Sequence, residues 1–496
     1  MNKTAQLLQK NGPMLSGDLA RLYEKEYCVS NEAARQAISR SKPPVKKLYK
    51  IKFDKNQVFC YLEDQFMGEK YVTALMAAIE NHSKTVYTFV QAFVSQNGVI
   101  SKKLLPAFTS APVGKVKGHR IHSDILQKLI DSQIIVDSGE ESYSLSPMFY
   151  DAANPHRARG LEVVKNVITQ DFNSWARDIN MVAYGQGKCL FDAPDFGQFQ
   201  WGYTAPSYVQ PLYSLETQKP GFVVADVFYG KTATIHSIRF FVEKINVLRS
   251  YKNVSSFLPV LLVDKIDREA LEYLKENKVM VALLNNLFSD KYTELLADLV
   301  NVFTNASAII ANDPSQLYVL FETIRKNEGR YNNLAGDLFE LLVGSHFFHL
   351  GCQFLKLQDE VFDPEMGKKR ELDLVVFKDG RYIVIECKAQ KAKLDEKFVR
   401  KWLTDNVPVT RKCLIDRYQI DKIDFQLWSV SGFDDGALEL LKKAKEETQK
   451  YEIEYYEYDQ MIVNAKKAGD QHFVEIMNQH FLPNKNNKSE HSKDLS

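Results

Sequence analysis

Cysteine, net charge and long hydrophobic runs are all scarce in this chain of 496 residues. The six cysteines are scattered without a CxxC or CxH pair, which argues against a disulfide framework and a zinc site. The formal net charge is only +1, so any basic surface must be local. No apolar run approaches the ~18 residues of a membrane span, and the first residues become polar too soon for a signal peptide. We therefore expect a reducing, cytoplasmic location, no membrane partner, and several domains of roughly 100 to 200 residues.

The chain does contain a hairpin pattern with charges in its apolar strands, from Glu371 to Lys388. Asp379-Gly380 is typical of a two-residue hairpin turn. With that turn, Asp373 faces Glu386 across the strands, and Lys388 projects from the same face. Opposed carboxylates, with Cβ atoms about 5 Å apart, repel unless a cation lies between them. The pattern therefore predicts a metal site.

Carboxylate oxygens favour Mg²⁺ or Mn²⁺ over zinc, so Asp373 and Glu386 are candidate ligands. The alternative is a structural ion pair between Lys388 and one of them at the edge of a sheet. Both faces of the hairpin are apolar, which predicts a central position covered on both sides. Cys387 lies on the face opposite the charges and is expected in the core. His346 flanks apolar residues and is expected in the core or on the surface rather than on a metal.

An amphipathic helix is predicted upstream of the hairpin, from Asn333 to a glycine cap at Gly351, with Glu340 beside its apolar stripe. The polar stretch 359–370 is predicted to be a loop. The tail 484–496 is charged and without periodicity, which is typical of a disordered segment.

Glu340, Asp373 and Glu386-Cys-Lys388 together resemble the E…D…(D/E)xK signature of the restriction-endonuclease-like nucleases, the PD-(D/E)XK superfamily. The family's proline before the aspartate is absent, because Leu372 stands there. The resemblance implies a mixed sheet flanked by helices, with Asp373 and Glu386 binding Mg²⁺ or Mn²⁺. It also implies that Lys388 orients or activates the attacking water and that Glu340 completes the metal environment.

Residues 1–68 show the order helix, helix, helix, hairpin and resemble the winged-helix DNA-binding domains. In that resemblance the third helix, predicted at 30–39, enters the major groove, and the hairpin is the wing. Basic residues concentrate in this region. The alternative is a solvated charged face on a domain that binds protein. The candidate DNA-binding residues are Arg35, Arg40, Lys42, Lys46, Lys47 and Lys50.

Residues 69–153 resemble a second, weaker winged helix, for which we expect packing or dimer contact rather than base reading. A linker is predicted at 154–160.

The segment 160–304 echoes the segment 305–483, since both show the order helix, hairpin, long helix, strand, helix, strand. In the first copy Asp226 stands where Glu386 stands in the second, but Phe228 replaces the lysine. This pattern indicates a nuclease-like domain that has lost its chemistry. The alternative is an unrelated α/β spacer.

The predicted fold class is multidomain α+β and α/β, with N-terminal winged helices and then tandem restriction-endonuclease-like mixed sheets flanked by helices, the first copy degenerate. The predicted function is a Mg²⁺- or Mn²⁺-dependent DNA endonuclease acting on double-stranded DNA, in restriction or antiphage defence by analogy with the family. One active site per chain cuts one strand, so a homodimer or a defence-complex partner is expected. The alternative is a non-catalytic DNA-binding, scaffold or regulatory protein with an inert nuclease fold.

Overall fold

A computed structural model describes residues 2–138, 142–210, 212–215, 218–251, 253–312, 317, 321, 335–363, 368–419 and 422–482. The chain is a mixed α/β protein, and it divides into two compact units, residues 1–293 and 294–496. None of the helices among the described residues is long and apolar enough to cross a membrane. The predicted disordered tail, 484–496, lies outside the described residues.

The first unit begins with three helices and a small antiparallel sheet of order β1-β3-β2. Side chains of Asn2 and Ser30 accept hydrogen bonds from the first turns of α1 and α3, which fixes where those helices start. The order is helix, strand, helix, helix, hairpin, which differs from the predicted helix, helix, helix, hairpin by the short strand β1. The elements are α1 (Lys3–Asn11), β1 (Met14–Leu15), α2 (Ser16–Tyr27), α3 (Asn31–Ser39), β2 (Val45–Leu48) and β3 (Phe59–Leu62).

A second small sheet follows, and its order, β4-β6-β5, places the strands as in the first sheet. In both sheets the strand that comes last in sequence lies between the other two. The elements are α4 (Glu69–His82), α5 (Lys84–Ser95), β4 (Val99–Ser101), α6 (His122–Asp131), β5 (Ile135–Asp137) and β6 (Ser142–Leu145).

Two side chains of the segment that joins β2 to β3 are buried among residues of the second sheet and its helices. Ile51 and Phe53 are 3% and 5% exposed, and they belong to the same hydrophobic cluster as Phe89 and Leu129. The predicted domains 1–68 and 69–153 therefore share one hydrophobic cluster, while residues 5–62 also form a second cluster of their own.

The predicted linker at 154–160 is wrong, because these residues start a long helix. The side chain of Asn154 accepts a hydrogen bond from the amide of Arg157 over 2.9 Å and caps α7 (Pro155–Asp178). Proline is favourable at the first helical position, because the amide hydrogen that it lacks would make no hydrogen bond within the helix there.

The first large sheet has the order β12-β11-β10-β9, with β9 and β10 antiparallel and the other pairs parallel. The long helix α11 crosses the boundary between the two units. The elements are β7 (Asp195–Phe196), β8 (Phe199–Gln200), β9 (Tyr203–Ser207), β10 (Gly221–Ala233), α8 (Ile235–Arg249), β11 (Phe257–Ile266), α9 (Arg268–Glu276), β12 (Met280–Leu283), α10 (Leu284–Leu287) and α11 (Asp290–Asn312).

The second large sheet has the sequential order β13-β14-β15-β16-β17. Its first three strands are antiparallel, and β16 and β17 continue parallel to β15. A π-helical turn, Trp402–Asn406, connects α13 to α14. The elements are α12 (Ala335–His349), β13 (Phe354–Asp363), β14 (Lys368–Lys378), β15 (Arg381–Lys388), α13 (Glu396–Lys401), α14 (Val407–Tyr418), β16 (Ile423–Ser429), α15 (Asp435–Glu447), β17 (Ile453–Glu457), α16 (Tyr458–Ala468) and α17 (Gln471–His480).

Both large sheets therefore run helix, antiparallel hairpin, helix, parallel strand, helix, parallel strand. The second sheet has one further strand, β13, which continues through residues predicted to be a loop. Asp359 and Asp363 are buried there, and Asp359 pairs with Arg417 Nη1 at 2.5 Å. The loop prediction is wrong for 359–363 and 368–370, which are strand residues, because Asp359 has a charged partner inside the fold; residues 364–367 lie outside the described residues.

Helices cover both faces of the hairpin β14–β15. Helix α12 packs on one face, where Gly344 lies close to Leu374. On the other face Val375 and Val384 join a cluster with residues of α13, α14 and α15. The expected coverage on both sides is confirmed.

Candidate active site

The turn between β14 and β15 is the predicted one. Asp379 and Gly380 have φ angles of 52° and 77°, and positive φ at both central residues is the property of a type I′ turn. Phe377 pairs with Tyr382, and the ladder runs back to Leu374↔Ile385. Since the turn has two residues, the next facing positions are Asp373 and Glu386, as the sequence predicts.

The carboxylate of Asp373 lies where this ladder ends. The amide of Cys387 donates to Asp373 Oδ2 over 2.7 Å, so a side chain takes the place of a strand carbonyl as acceptor. Lys388 Nζ lies 3.2 Å from the same oxygen. Among the described contacts, Asp373 Oδ1 has no partner.

Lys388 also pairs with the facing carboxylate, since its Nζ lies 2.7 Å from Glu386 Oε1. One ammonium group therefore bridges the two acids that the sequence places opposite each other. The side chains of Asp373, Glu386 and Lys388 are 15%, 20% and 26% exposed, so each is partly accessible to water.

The electrostatics of the cluster follow from this partial burial. Burial raises the pKa of Glu386, and the charge of Asp373 raises it further, while Lys388 acts against both. Burial alone would lower the pKa of Lys388, but the charges of Asp373 and Glu386 raise it. Lys388 is therefore a cation at neutral pH and offsets the repulsion between the two acids.

Glu340 lies on α12, and its side chain is half-buried. Its negative charge acts on the cluster by raising the pKa of both Lys388 and Cys387. Among the residues that the structure describes, however, no three acidic, histidine or cysteine side chains lie close enough together to hold a metal ion. The expectation that Glu340 shares a metal with Asp373 and Glu386 stays a prediction.

Cys387 and His346 both belong to the interior. Burial, together with the charges of Asp373 and Glu340, raises the pKa of the Cys387 thiol well above its ordinary value, which disfavours a thiolate nucleophile. His346 Nδ1 lies 2.8 Å from Asp470 Oδ2 in a buried pair beside Phe473. Both residues are placed as expected.

Arg370 on β14 is a charged neighbour of the site that was not predicted from the sequence. The residue is buried, and its Nη2 lies 2.9 Å from Asp405 Oδ1 on the π-helical turn. Its positive charge acts to lower the pKa of Glu386. Arg370 lies within the stretch predicted as a loop, so only strand pairing could have placed it here.

The predicted DNA-binding residues fall into two groups. Arg35 and Arg40 are exposed on and just after α3, and Lys42 is exposed in the segment that follows. Within the described part of the chain these three side chains have no ion pair or hydrogen bond.

The other three lysines have partners within the fold. Lys46 pairs with Glu63 at 3.3 Å, and Lys47 Nζ donates to the carbonyl of Ser39 over 2.7 Å. Lys50 Nζ donates to the carbonyl of Asp131 over 2.9 Å, at the end of α6.

No family model matches this sequence, and no curated protein matches it at a significant level.

Proposed function

We propose that this protein is a Mg²⁺- or Mn²⁺-dependent DNA endonuclease whose active site is formed by Asp373, Glu386 and Lys388, with Glu340 as a supporting charge. The observation that carries the proposal is the convergence of two carboxylates and one ammonium group on adjacent central strands, with each of the three side chains partly exposed to solvent. The same residues carry the resemblance to the PD-(D/E)XK nucleases.

The donor set fits a hard divalent cation. Magnesium binds through one or two carboxylates and retains several water molecules, so Asp373 and Glu386 suffice as protein ligands. Asp373 Oδ1 has no other partner among the described contacts, and Glu386 is charge-paired only with Lys388 at short range. The cation would supply a Lewis acid for the scissile phosphate.

The chain's own residues would perform three tasks in phosphodiester hydrolysis. Asp373 and Glu386 would hold the cation through their carboxylate oxygens. Lys388, already an ammonium donor, orients the attacking water and stabilises charge that develops on the phosphate oxygens. The strand backbone fixes these groups, because the Cys387 amide holds the carboxylate of Asp373 in place.

DNA docking is assigned to α3 rather than to the wing. Arg35, Arg40 and Lys42 are exposed and unpaired among the described residues, which suits contact with phosphates. In the segment between β2 and β3, Ile51 and Phe53 are buried in the cluster that includes Phe89 and Leu129, and Lys50 donates to the carbonyl of Asp131. A double-strand cut would need two chains or two encounters. The proposed cytoplasmic role in restriction or antiphage defence depends on family resemblance alone.

The test is cleavage of plasmid DNA, single-stranded DNA and RNA by the full chain with Mg²⁺, with Mn²⁺ and with EDTA. Asp373→Ala and Lys388→Ala should each abolish metal-dependent cleavage of DNA while leaving DNA affinity unchanged. Glu439→Ala and Lys442→Ala, two exposed charge removals on α15, are the matched controls and should cut normally. Retained cleavage by both site variants would refute the assignment.

A second candidate function is a non-catalytic DNA-binding or scaffold protein with an inert nuclease fold. It is favoured by the direct contacts of Lys388 with both carboxylates, since such contacts also describe a structural ion pair. In that case wild-type protein would bind DNA with no metal-dependent cleavage, and Lys388→Ala would lower thermal stability as its main effect.

A further inference from the structure

The first large sheet carries a carboxylate at the corresponding end of its own antiparallel ladder. The ladder of β9 and β10 ends at Tyr203↔Ala225, so the next facing positions are Gly202 and Asp226. The amide of Gly202 donates to Asp226 Oδ1 over 2.5 Å. As at Asp373 in the second sheet, an aspartate carboxylate accepts a hydrogen bond from a backbone amide of the neighbouring strand, at the point where the strand ladder ends.

The cation next to Asp226 comes from a helix rather than from the strand. Lys244 on α8 places its Nζ 3.0 Å from Asp226 Oδ2. The same ammonium donates to the carbonyl of Gln200 over 2.9 Å and to the carbonyl of Ala107. These three oxygens form what we call the Lys244 cage.

The cage is closed to solvent. The side chains of Lys244 and Asp226 are both 0% exposed. The rings of Trp201 and Phe240 have their centroids 4.8 and 5.0 Å from Nζ and cover further sides of the ammonium. By contrast, the side chain of Lys388 in the second sheet is 26% exposed. Solvent therefore touches the second cluster but not the first.

Burial makes the negative charge of Asp226 depend on a neighbouring cation. It raises the pKa of Asp226 to about 6 against the opposing charge of Lys244, and it lowers the pKa of Lys244 against the charge of Asp226. Neither charge would be retained in the interior without the other. The buried Lys165 on α7 also acts on Asp226, and its Nζ donates to Gln96 Oε1 over 2.7 Å.

We propose that Lys244 is a built-in cation of the first large sheet, and that its ammonium fills the place beside Asp226. Its ammonium takes the place that a metal ion would hold against Asp226 and two backbone carbonyls, so the first sheet is closed to metal. Because one of the carbonyls belongs to Ala107, the cage also fixes the segment between β4 and α6 to the first large sheet. Only the comparison with the second sheet rests on the proposed function; the cage itself does not.

The first test removes each charge separately and then both together. Lys244→Met and Asp226→Asn should each lower the melting temperature of the full chain by on the order of 10 °C, because each leaves one charge buried and unpaired. The double variant should lose less than the sum of the two single losses. Lys231→Met is the matched control, since Lys231 donates to the carbonyl of Val94 over 2.7 Å from an exposed position, and it should change little.

The second test asks whether the cage accepts an external cation. Lys244→Ala removes three carbons and the ammonium, which together correspond to propylammonium. Propylammonium chloride should raise the melting temperature of Lys244→Ala in a saturable way, and tetramethylammonium chloride at equal ionic strength should not. Wild type and the Lys244→Ala, Asp226→Asn double variant should show no such rescue.

A wild-type melting temperature for Lys244→Met, or strictly additive losses in the double variant, would overturn the proposal. Equal effects of the two ammonium salts on Lys244→Ala would overturn it as well. All readouts are melting temperatures, so they are independent of whether the second sheet cleaves DNA.

Discussion

One oxygen of Asp373 accepts both the amide of Cys387, over 2.7 Å, and the ammonium of Lys388, at 3.2 Å. The carboxylate is thus oriented by a backbone group and a side chain that are consecutive in sequence. Its second oxygen accepts from neither of these donors.

Glu340→Gln should reduce cleavage less than Asp373→Ala does. Because Glu340 acts on the cluster through its charge, we expect activity to fall by about 10- to 100-fold, typical of residues that support metal ligands. The measurement is the rate of plasmid cleavage as a function of Mn²⁺ concentration. A decrease as complete as that of Asp373→Ala would instead make Glu340 a direct ligand.

Replacing Arg35, Arg40 and Lys42 together by alanine should weaken DNA binding and flatten its salt dependence. For each phosphate that the variant no longer neutralises, the slope of log affinity against log salt should become shallower by about 0.9. Fluorescence anisotropy at several salt concentrations measures this. Lys50→Ala is the control, because Lys50 is bound to Asp131 and its removal should leave the slope unchanged. If Lys50→Ala flattened the slope as much as the triple variant, docking through α3 would be wrong.

Asp470→Asn should remove part of the acid sensitivity of the second unit. Burial acts to raise the pKa of Asp470, but hydrogen bonds from His346 and from the Phe473 amide lower this pKa below its ordinary value. A depressed folded pKa contributes stability that is present above the unfolded value of about 3.9 and is lost as pH falls through the folded value. Urea unfolding at pH 7 and near pH 3 should show a smaller difference for the variant than for wild type. Asparagine still caps α17, so an identical difference would contradict the assignment.

Gly380→Ala should lower stability, because alanine at a φ of 77° costs about 1–2 kcal/mol. Gly336→Ala is the control: its Cβ would meet open space on an exposed helical position, and we expect a gain of about 0.5–1 kcal/mol. Urea unfolding midpoints measure both. A neutral Gly380→Ala variant would mean that the turn is not the type I′ turn on which the register depends.

The sequence was sufficient to predict the hairpin and its facing residues, because a two-residue turn and a side-chain period of two leave one register. It also predicted the shared order of elements in the two large sheets, since helical and strand patterns are local. The Lys244 cage was not predictable, because Lys244 and Asp226 belong to different elements and form no motif. Local pattern likewise could not separate a linker from a helix cap at Asn154, or a polar loop from the paired strand at Asp359.

Because the candidate site lies at the end of a strand ladder, its proposed activity can be lost in two ways. Substitution of a charge is one route, but a one-residue insertion between Gly380 and Glu386 is another. Such an insertion would turn Glu386 and Lys388 to the opposite face of the sheet, away from Asp373, while leaving every charged residue in the sequence. A related chain could therefore retain the full motif and still be inactive, so the spacing from the turn is as informative as the residues themselves.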